Sequence, residues 1–369
     1  MKTLVTGGAG FIGSHLVRAL VERGEDVVVL DSLEAQVHGG SPSELPSSAE
    51  LLIGDVGDPE LVDRALAGCE RIVHLAAAVG VGQSMYEIAR YTRLNTMATA
   101  SFLERVVAQR PLPTRLVVAS SMSIYGEGEY ECQEHGRAAP TMRAEEQLLA
   151  RHWELECPGC GRTLRPVPTS EDKLLLPTSI YAINKRDHEE MSLVTGAAYG
   201  IPTVALRFFN VYGPGQALSN PYTGVAAIFA SRLLNGNAPV IFEDGEQSRD
   251  FTHVSDIVQG ILLALESDRA AGAAVNLGTG TQTTVARVAE VLSAGIGGDI
   301  EPERNAQYRA GDIRHCFADI TRAEALLGYR PLVAFEDGIA ALVDWLADQQ
   351  AVDRVDVATS ELAARGLTR

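Results

Sequence analysis

A glycine-rich loop near the start of the chain constrains the fold more than any other feature. Residues 7–13 read GGAGFIG and lie between the short apolar run Lys2 to Thr6 and a segment with helical spacing, Phe11 to Arg23. The next run, Asp26 to Asp31, is mostly β-branched and apolar, as in a strand that is buried on both faces. This order predicts a strand–helix–strand unit in which the glycines allow a tight turn.

Strand and helix patterns continue to alternate through the first half of the chain. Further strands are predicted at Glu50 to Ile53, Arg71 to Ala76 and Arg115 to Ser120, and helices at Pro59 to Ala67, Glu87 to Gln109 and Ile183 to Tyr199. The alternation predicts an α/β fold with a Rossmann-type doubly wound parallel sheet over residues 1–212. Residues 213–350, where Pro, Gly and Asn separate shorter elements, are expected to form mainly a smaller α/β substrate-binding domain, with segments that return to the first domain. The polar stretch 351–369 is expected to be a helical or disordered tail.

Composition excludes some classes of function. The 369 residues are 46% apolar and carry a formal net charge of −17. Such a chain can bury a full core, but nucleic acids and anionic membranes are unexpected partners because their binders need a basic face. Since neither a signal peptide nor an apolar run of about 18 residues stands out, we expect a cytoplasmic protein.

The glycine loop has the composition of a phosphate-binding turn. Its backbone can approach a pyrophosphate closely, and the N–H groups at the start of the next helix attract anions. Asp31 ends the second predicted strand, where a carboxylate accepts hydrogen bonds from the ribose hydroxyls of NAD and repels the 2′-phosphate of NADP. Because no Arg or Lys follows closely, NAD is the predicted cofactor. The alternatives are an ordinary strand–helix turn and, for Asp31, a cap of a helix or turn.

Tyr181 and Lys185 are spaced by four residues at the start of a predicted helix, so their side chains share one face. A nearby ammonium stabilises a phenolate, and we therefore expect Lys185 to lower the pKa of Tyr181 and make it a usable acid and base. Ser121 follows a predicted strand, at the sheet edge where active sites of this fold lie. Its hydroxyl can bond to a substrate alcohol or ketone, although a Tyr-x-x-x-Lys pair alone is more often a solvated helix face.

Together these motifs resemble the extended short-chain dehydrogenase/reductase family, and within it the NAD-dependent nucleotide-sugar epimerases and dehydratases. Further matching segments are Asp55-Val56, His74 to Ala77, Asn95 in Asn-x-x-Ala-Thr, where the family usually has Gly instead of Ala98, and Arg207 to Pro214. The resemblance implies that the catalytic residues are Ser121, Tyr181 and Lys185. The cofactor-binding residues that it implies are Gly7, Gly10, Phe11, Ile12, Gly13, Asp31, Asp55, Val56, Leu75, Ala76, Ala77, Asn95, Tyr181, Lys185 and Phe208.

Two positions separate the reactions of this family. Its 4,6-dehydratases carry an Asp-Glu pair directly after the catalytic Ser or Thr, whereas this chain has Met122 and Ser123, which cannot act as carboxylic acids. The resemblance therefore favours C4 epimerisation. In that reaction Tyr181 takes the proton of the sugar 4-hydroxyl with help from Ser121, and Lys185 holds the nicotinamide ribose. NAD takes a hydride from C4 and returns it to the opposite face, so no external reductant is consumed.

The resemblance also implies where a nucleotide-diphosphate sugar would bind. Arg249 and Arg309 lie where the family contacts the diphosphate, and guanidinium groups suit phosphate oxygens, although most arginines simply lie at a protein surface. The expected substrate-binding residues are Ser121, Ser123, Asn210, Arg249, Arg309 and Asp312. Residues 216–223 are expected to cover the nucleotide base.

An insertion of about 128–176 separates the catalytic Ser from the catalytic Tyr. It contains two pairs of possible metal ligands, each with two residues between its members: Cys132, His135, Cys157 and Cys160. This spacing predicts a structural, zinc-ribbon-like site, with His152 as an alternative imidazole ligand. Unbound thiols and a Cys157–Cys160 disulfide are the other interpretations. Cys69 and Cys316 are expected to be ordinary buried thiols.

The insertion and the segment Asn210 to Val225 together resemble dTDP-L-rhamnose 4-epimerases, which interconvert dTDP-L-rhamnose and dTDP-6-deoxy-L-talose. A UDP-glucose or UDP-glucuronate 4-epimerase and a net NAD-dependent nucleotide-sugar oxidoreductase are alternatives. A non-enzymatic NAD-binding regulator is disfavoured because it need not keep the Ser, Tyr and Lys together. The family commonly dimerises through helices near Glu87 to Gln109 and Ile183 to Tyr199, so we expect a homodimer.

Overall fold

The strands of the protein were located in a computed structural model that describes residues 1–38, 44–296, 300–309 and 311–369. In chain order they are β1 (Lys2–Thr6), β2 (Asp26–Asp31), β3 (Glu50–Ile53), β4 (Arg71–His74), β5 (Arg115–Ser121), β6 (Glu129–Cys132), β7 (Gly136–Ala138), β8 (Arg165–Val167), β9 (Thr203–Phe208), β10 (Asn210–Tyr212), β11 (Val240–Ile241), β12 (Ser248–Arg249), β13 (Phe251–His253), β14 (Ala274–Leu277), β15 (Thr283–Thr284), β16 (Glu303–Arg304) and β17 (His315–Cys316).

The α-helices of the described residues follow the same numbering along the chain. They are α1 (Phe11–Glu22), α2 (Ala35–His38), α3 (Pro59–Leu66), α4 (Val81–Ser84), α5 (Ile88–Thr92), α6 (Ala98–Ala108), α7 (Glu145–Leu149), α8 (Ile180–Tyr199), α9 (Val225–Leu234), α10 (Val254–Glu266), α11 (Val285–Ile296), α12 (Thr321–Leu327), α13 (Phe335–Leu346) and α14 (Val355–Ala364). Within these ranges, no helix has both the length and the apolar character that a membrane span requires.

A seven-stranded sheet forms the centre of the fold. Its strand order is β14-β9-β5-β4-β1-β2-β3, and every neighbouring pair is parallel. The order reverses direction between β1 and β4, and in such sheets ligands bind beside that point, at the carboxyl ends of the strands. The predicted α/β fold class with a Rossmann-type parallel sheet is confirmed.

Helices cover both faces of this sheet and create two cores. On one face α1 and α10 pack together and bury Leu16, Leu20 and Ile261 completely. On the other face α3 and α6 bury Val62 and Phe102. Burial of each side chain of this kind stabilises the fold by about 1.5–3 kcal/mol. The packed helices therefore give the sheet edge that carries the glycine loop a rigid support.

Elements after Tyr212 form another core, while some return to the sheet. Helices α9, α11 and α13 pack around Phe229, Leu292 and Leu342, beside the short parallel pair β10–β13. Strand β14 joins the edge of the large sheet next to β9. The stretch 351–369, predicted as a helical or disordered tail, contains the ordered helix α14.

Two helices differ from the sequence prediction, one because it is interrupted and the other because it begins earlier. The helix predicted over Glu87 to Gln109 is interrupted, because a π-helical turn at Arg93–Met97 separates α5 from α6. Asn95 in this turn accepts from the Ala78 N–H at 2.7 Å and donates to the Ala78 carbonyl at 3.1 Å, which ties the turn to the chain after β4. Helix α8 begins before the predicted Ile183 because the Ser179 hydroxyl caps it by accepting from the Ala182 N–H at 3.1 Å.

The insertion between β5 and α8 folds as a small unit of its own. Strand β6 pairs antiparallel with both β7 and β8, and a small core contains Tyr130, Leu155 and Leu164. The two ends of the unit meet, because a side-chain carbon on Gly126, whose φ is +66°, would lie only 2.2 Å from the Leu176 carbonyl oxygen.

Candidate active site

A cavity of about 510 Å³ lies at the carboxyl ends of the central strands, beside the point where the strand order reverses. Both halves of the chain contribute to its wall. Predicted cofactor-binding residues in its lining are Gly7, Gly10, Phe11, Ile12, Gly13, Asp31, Asp55, Val56, Leu75, Ala76, Ala77, Tyr181, Lys185 and Phe208. Predicted substrate-binding residues in its lining are Ser121, Ser123 and Asn210.

The glycine loop leaves no room for a side chain at Gly7 or Gly13. A Cβ on Gly13 would lie 2.2 Å from the Gly7 carbonyl oxygen, and a Cβ on Gly7, whose φ is +69°, would lie 2.8 Å from the Ala76 nitrogen. Helix α1 begins directly after Gly10, which has no side chain to cap the free N–H groups of the first turn. Close backbone and uncapped N–H groups fit the pyrophosphate of a dinucleotide.

Asp31 holds the turn that follows β2 and also borders the cavity. Its carboxylate accepts from the Ala9 N–H at 3.0 Å and from the Leu33 N–H at 2.9 Å. The His38 ring nitrogen Nε2 lies 3.4 Å from the same carboxylate. Asp31 therefore caps this turn. Its carboxylate also lies at the cavity wall, where it can bind the ribose of a dinucleotide.

Several residues of the cavity wall were missed by the sequence analysis. Arg90 lies in the lining, although it is far from Asp31 in sequence, and its guanidinium is paired with Glu34 at 2.9 Å and Glu87 at 2.8 Å. These two carboxylates leave little positive charge to attract the 2′-phosphate of NADP. Asn220 and Tyr222 in the lining belong to the stretch 216–223 that was expected to cover the nucleotide base. The other missed lining residues include Gln36, His38, Gln83 and Tyr91. They come from loops and short helices, and no sequence motif marks them.

The predicted catalytic residues meet at one side of the cavity. Ser121 ends β5, and its hydroxyl accepts from the Ser123 hydroxyl at 2.9 Å. Tyr181 lies in the first turn of α8, where its N–H donates to the Ser84 hydroxyl at 3.1 Å. Lys185 lies one turn later and donates to the Ala119 carbonyl at 2.9 Å.

Burial changes the acid–base properties of this group. It raises the pKa of Tyr181 to about 12, against a smaller lowering by the Ser121 hydroxyl. Burial also lowers the pKa of Lys185 to about 8. The expected lowering of the Tyr181 pKa by Lys185 is thus not found in the protein alone, where desolvation of the phenolate dominates and only the Ser121 hydroxyl opposes it.

Asn95, a predicted cofactor-binding residue, does not line the cavity among the residues that the structure describes. It is fully buried, and both ends of its amide bond to the Ala78 backbone. Because Ala78 belongs to the cavity wall, Asn95 acts as a support for that wall.

Three predicted substrate-binding residues, Arg249, Arg309 and Asp312, also lie outside the cavity lining in the described part of the chain. Arg249 donates to Asp312 at 3.0 Å and to the Ile313 carbonyl at 2.7 Å. The Arg309 guanidinium carbon lies 4.2 Å from the centre of the Phe242 ring. These side chains contact other parts of the protein instead of the cavity. The contacts join segments that are far apart in the chain, which sequence motifs do not specify.

Residues 311–315, which we call the substrate-side segment, connect these residues to the catalytic helix and to the insertion. The Thr178 hydroxyl, just before α8, donates to the Gly311 carbonyl at 3.0 Å. Arg314 is fully buried and donates to Glu154 of the insertion at 2.5 and 2.9 Å, and to Asp244 at 2.6 and 2.9 Å. Charged side chains therefore hold this segment between two other parts of the chain.

The insertion gathers four possible metal ligands. The Sγ atoms of Cys132, Cys157 and Cys160 and a ring nitrogen of His135 all lie within 4.8 Å of one another. Cys132 Sγ is 3.7 Å from Cys160 Sγ, and the His135 Nδ1 is 3.6 and 3.4 Å from Cys132 Sγ and Cys157 Sγ. A tetrahedral zinc ion, with Zn–S bonds of about 2.3 Å and Zn–N bonds of about 2.0–2.1 Å, separates its ligand atoms by about 3.5–3.8 Å.

The structure also bears on the other predictions for the cysteines and for His152. Cys157 and Cys160 do not form a disulfide. His152, the alternative ligand, does not belong to the cluster of four that the described residues form. Cys316 is buried, and burial raises the pKa of its thiol to about 12; Cys69 is partly buried, with its thiol pKa raised to about 11.

Comparison with known proteins places this site in a family. Residues 3–145 and 160–278 match the pattern of the NAD dependent epimerase/dehydratase family. The chain is similar to dTDP-L-rhamnose 4-epimerase of Burkholderia thailandensis, with 34% identity over 352 residues, 94% of this chain and 95% of that protein.

Solved structures of nucleotide-sugar epimerases are similar as well. UDP-glucose 4-epimerase of Thermotoga maritima, with UDP-glucose, has a TM-score of 0.76 and 31% identity over 94% of this chain and 99% of that chain. UDP-glucuronic acid 4-epimerase of Bacillus cereus, with UDP-glucuronic acid and NAD, has a TM-score of 0.76 and 27% identity with the same coverage. The chain therefore belongs to the NAD dependent epimerase/dehydratase family, and the predictions of that family and of an NAD-dependent nucleotide-sugar epimerase are confirmed.

Proposed function

We propose that this enzyme is a 4-epimerase of dTDP-L-rhamnose that forms dTDP-6-deoxy-L-talose. The observation that carries the C4 reaction is the meeting of Ser121, Tyr181 and Lys185 in one cavity, with Met122 and Ser123 where the dehydratases of the family carry acids. The sugar is proposed from the Burkholderia thailandensis relative, which covers 94% of this chain at 34% identity.

The cavity residues fit NAD. The glycine loop offers close backbone and free N–H groups for the pyrophosphate, and Asp31 offers a carboxylate for the ribose hydroxyls. When bound, NAD supplies the oxidant that removes a hydride from sugar C4 and then returns it. Lys185, at the same wall, would donate to the nicotinamide ribose.

Tyr181 and Ser121 would move the proton of the sugar 4-hydroxyl. Because burial holds the pKa of Tyr181 near 12, the phenol is protonated at neutral pH and must gain stabilisation before it accepts a proton. Ser121 is placed to donate to the substrate oxygen, since its own oxygen already accepts from Ser123. The positive charge of Lys185 lies on the same helix face as the Tyr181 phenol. Once substrate excludes water, this charge favours the phenolate.

A substrate panel tests this function. Purified protein with added NAD is incubated separately with dTDP-L-rhamnose, UDP-glucose and UDP-glucuronate, and NMR gives the stereochemistry of each product. We expect a C4 epimer from dTDP-L-rhamnose without net NADH formation. A C4 epimer from a UDP-sugar alone would instead identify a UDP-sugar 4-epimerase, a reading supported by the similar structures with UDP-glucose and UDP-glucuronic acid. Stoichiometric NADH would identify a net oxidoreductase, and no turnover with any sugar would favour a binding role.

We also propose that the insertion holds one structural zinc ion. The ligands would be Cys132, His135, Cys157 and Cys160, and the proposal is supported by distances between their atoms that suit a tetrahedral ion. Metal analysis of protein purified without chelator should find about one zinc per chain, and Cys157→Ser should reduce it strongly. A metal content far below one per chain in folded wild-type protein would refute the site.

A homodimer through α5–α6 and α8 is the assembly that we propose. Large apolar side chains on these helices are strongly exposed, with Ile88 51%, Met97 65% and Val194 68% exposed. A second copy of the chain that covered these side chains would remove their apolar surface from water. Light scattering behind a sizing column should give twice the chain mass, and Val194→Glu should shift the protein toward monomer.

A further inference from the structure

The last helix of the chain packs against the rim of the cavity. Val355, Ala358 and Leu362 of α14 are buried, although the stretch is polar overall. A Cβ on Gly82, which lies between the cavity-lining residues Val81 and Gln83, would be only 3.4 Å from the Leu362 side chain. Helix α14 is therefore a built part of the structure around the cavity.

Residues 215–224, which we call the strap, connect the second half of the chain to the cofactor half. Six strap residues line the cavity: Gln216, Ala217, Asn220, Tyr222, Thr223 and Gly224. The Asn220 side-chain oxygen accepts from Gln36 at 3.3 Å, and Gln36 belongs to the short helix that follows Asp31. A bound dinucleotide would thus lie between the glycine loop and the strap.

Three side chains fasten the strap to α14. The Tyr222 hydroxyl of the strap and the Tyr86 hydroxyl both donate to Glu361 Oε2, at 3.0 and 2.9 Å, and the two phenol oxygens are 2.6 Å apart. Hydrogen bonds to a carboxylate are stronger than those between neutral groups. The Arg365 guanidinium carbon lies 4.2 Å from the centre of the Tyr86 ring, so α14 holds this tyrosine as well.

A second contact joins the strap to the segment that leads into α14. The Val352 N–H donates to the Ser219 hydroxyl at 3.0 Å. The C-terminal segment thus contacts the strap on both sides of its cavity-lining residue Asn220, at Ser219 and at Tyr222. Opening the strap would require both contacts to break or α14 to move with it.

We propose that Glu361 and Tyr222 form a latch that keeps the strap closed over the cavity and slows the release of the dinucleotide. The inference rests on the proposed binding of NAD in this cavity. An epimerase regenerates its cofactor within each cycle, so retention of NAD allows turnover to continue without rebinding. Glu361 acts as a positioning residue, because it reaches the cavity only through Tyr222.

The test measures the dissociation of NAD from the whole enzyme. Protein is loaded with radiolabelled NAD and chased with excess unlabelled NAD, for the wild type, Glu361→Ala, Glu361→Gln and Tyr222→Phe. Dissociation should be roughly 3- to 10-fold faster in Glu361→Ala and Tyr222→Phe, the range for loss of one or two partly exposed hydrogen bonds. Glu361→Gln should fall between these and the wild type, because its amide oxygen still accepts. Glu324→Ala removes another exposed glutamate outside the cavity lining and should match the wild type.

Further readouts separate the latch from a purely structural role. With saturating NAD, the kcat of Glu361→Ala should stay within about twofold of the wild type. Faster release of NAD does not lower the rate under these conditions, because excess NAD keeps the cavity occupied. Unchanged dissociation in folded Glu361→Ala and Tyr222→Phe would overturn the latch while leaving the proposed function intact. If Glu361→Ala does not fold, Tyr222→Phe, which loses a single hydroxyl, decides the question. A wild-type protein that binds no labelled NAD would overturn both the proposed function and the latch.

Discussion

The glycine loop and the substrate-side segment are held in place by different kinds of interaction. Around Gly13 the backbone is so close that a Cβ would lie 2.2 Å from a carbonyl oxygen. Around Arg314, in contrast, the contacts are hydrogen-bonded ion pairs with Glu154 and Asp244. Close backbone packing tolerates almost no added volume, whereas a network of charges can lose one member and keep others. The first region is therefore encoded by a short motif, and the second by residues far apart in the chain.

Tyr181 lines the same cavity as the glycine loop and follows Thr178, which binds the substrate-side segment, by three residues. Its removal should have the largest effect. Tyr181→Phe removes the phenol that is proposed to take the proton at sugar C4, so kcat should fall roughly 10²- to 10⁴-fold. NMR turnover assays measure the rate, and the NAD content of the purified protein should remain that of the wild type. Tyr199→Phe changes an exposed tyrosine at the end of the same helix and serves as the matched control. An unaffected rate in Tyr181→Phe would remove this residue from the mechanism.

Gly13→Ala tests whether the cofactor side depends on close backbone packing. The added carbon must displace the Gly7 carbonyl, at a cost of about 1–3 kcal/mol, so NAD should bind roughly 10- to 100-fold more weakly. Calorimetric titration with NAD measures the affinity. Gly10→Ala, whose Cβ would lie 3.3 Å from the same oxygen, should have a clearly smaller effect. Equal effects of the two substitutions would contradict the steric explanation.

The same contrast explains what could be predicted from the sequence. The glycine loop, Asp31 and the Ser–Tyr–Lys group line one cavity, as local motifs at the ends of strands should. Arg90 and Gln83 were missed because they reach the cavity from short helices without a motif. The inward pairing of Arg249 with Asp312 depends on contacts between distant segments, which spacing along the chain does not specify.

Glu154→Ala tests the ionic support of the substrate-side segment. Loss of this carboxylate leaves Arg314 paired with Asp244 and Glu243 but removes the hydrogen bonds between its guanidinium and Glu154 of the insertion. We expect KM for the nucleotide sugar to rise roughly 3- to 10-fold, the range for loss of one charge-assisted interaction, while NAD affinity and zinc content stay unchanged. Glu134→Ala, which removes an exposed glutamate of the same insertion, should leave KM unchanged. A wild-type KM in Glu154→Ala would mean that the Glu154–Arg314 pair does not support substrate binding through this segment.

Acid should lower the stability of the protein in two steps at different pH values. Burial lowers the pKa of His74, at the end of β4, from 6.5 to about 3 and lowers that of His188, so both rings stay neutral when folded. The unfolded chain takes up protons below pH 6.5, and each histidine can then remove at most about 1.4 kcal/mol of stability per pH unit. Glu154 behaves differently, because its hydrogen bonds with His315 and Arg314 lower its pKa to about 2 despite burial. Its contribution is fully present above pH 4.5 and is lost only as the pH falls toward 2.

Urea unfolding at several pH values measures this difference. The free energy of unfolding should begin to fall below about pH 6.5, and Glu154→Gln should leave this first decrease unchanged. A flat free energy of unfolding between about pH 7.5 and 5 would show that the two histidines do not stay neutral in the folded state.

The two ends of the insertion lie close together, at Gly126 and the Leu176 carbonyl. This closeness affects how such a chain can change in length. A unit whose ends touch adds no distance between the strand before it and the helix after it, so the surrounding sheet does not have to adjust to its length. The family pattern matches on both sides of residues 146–159, within this unit. A chain of this fold can therefore accommodate a unit at this position with its catalytic helix left in register.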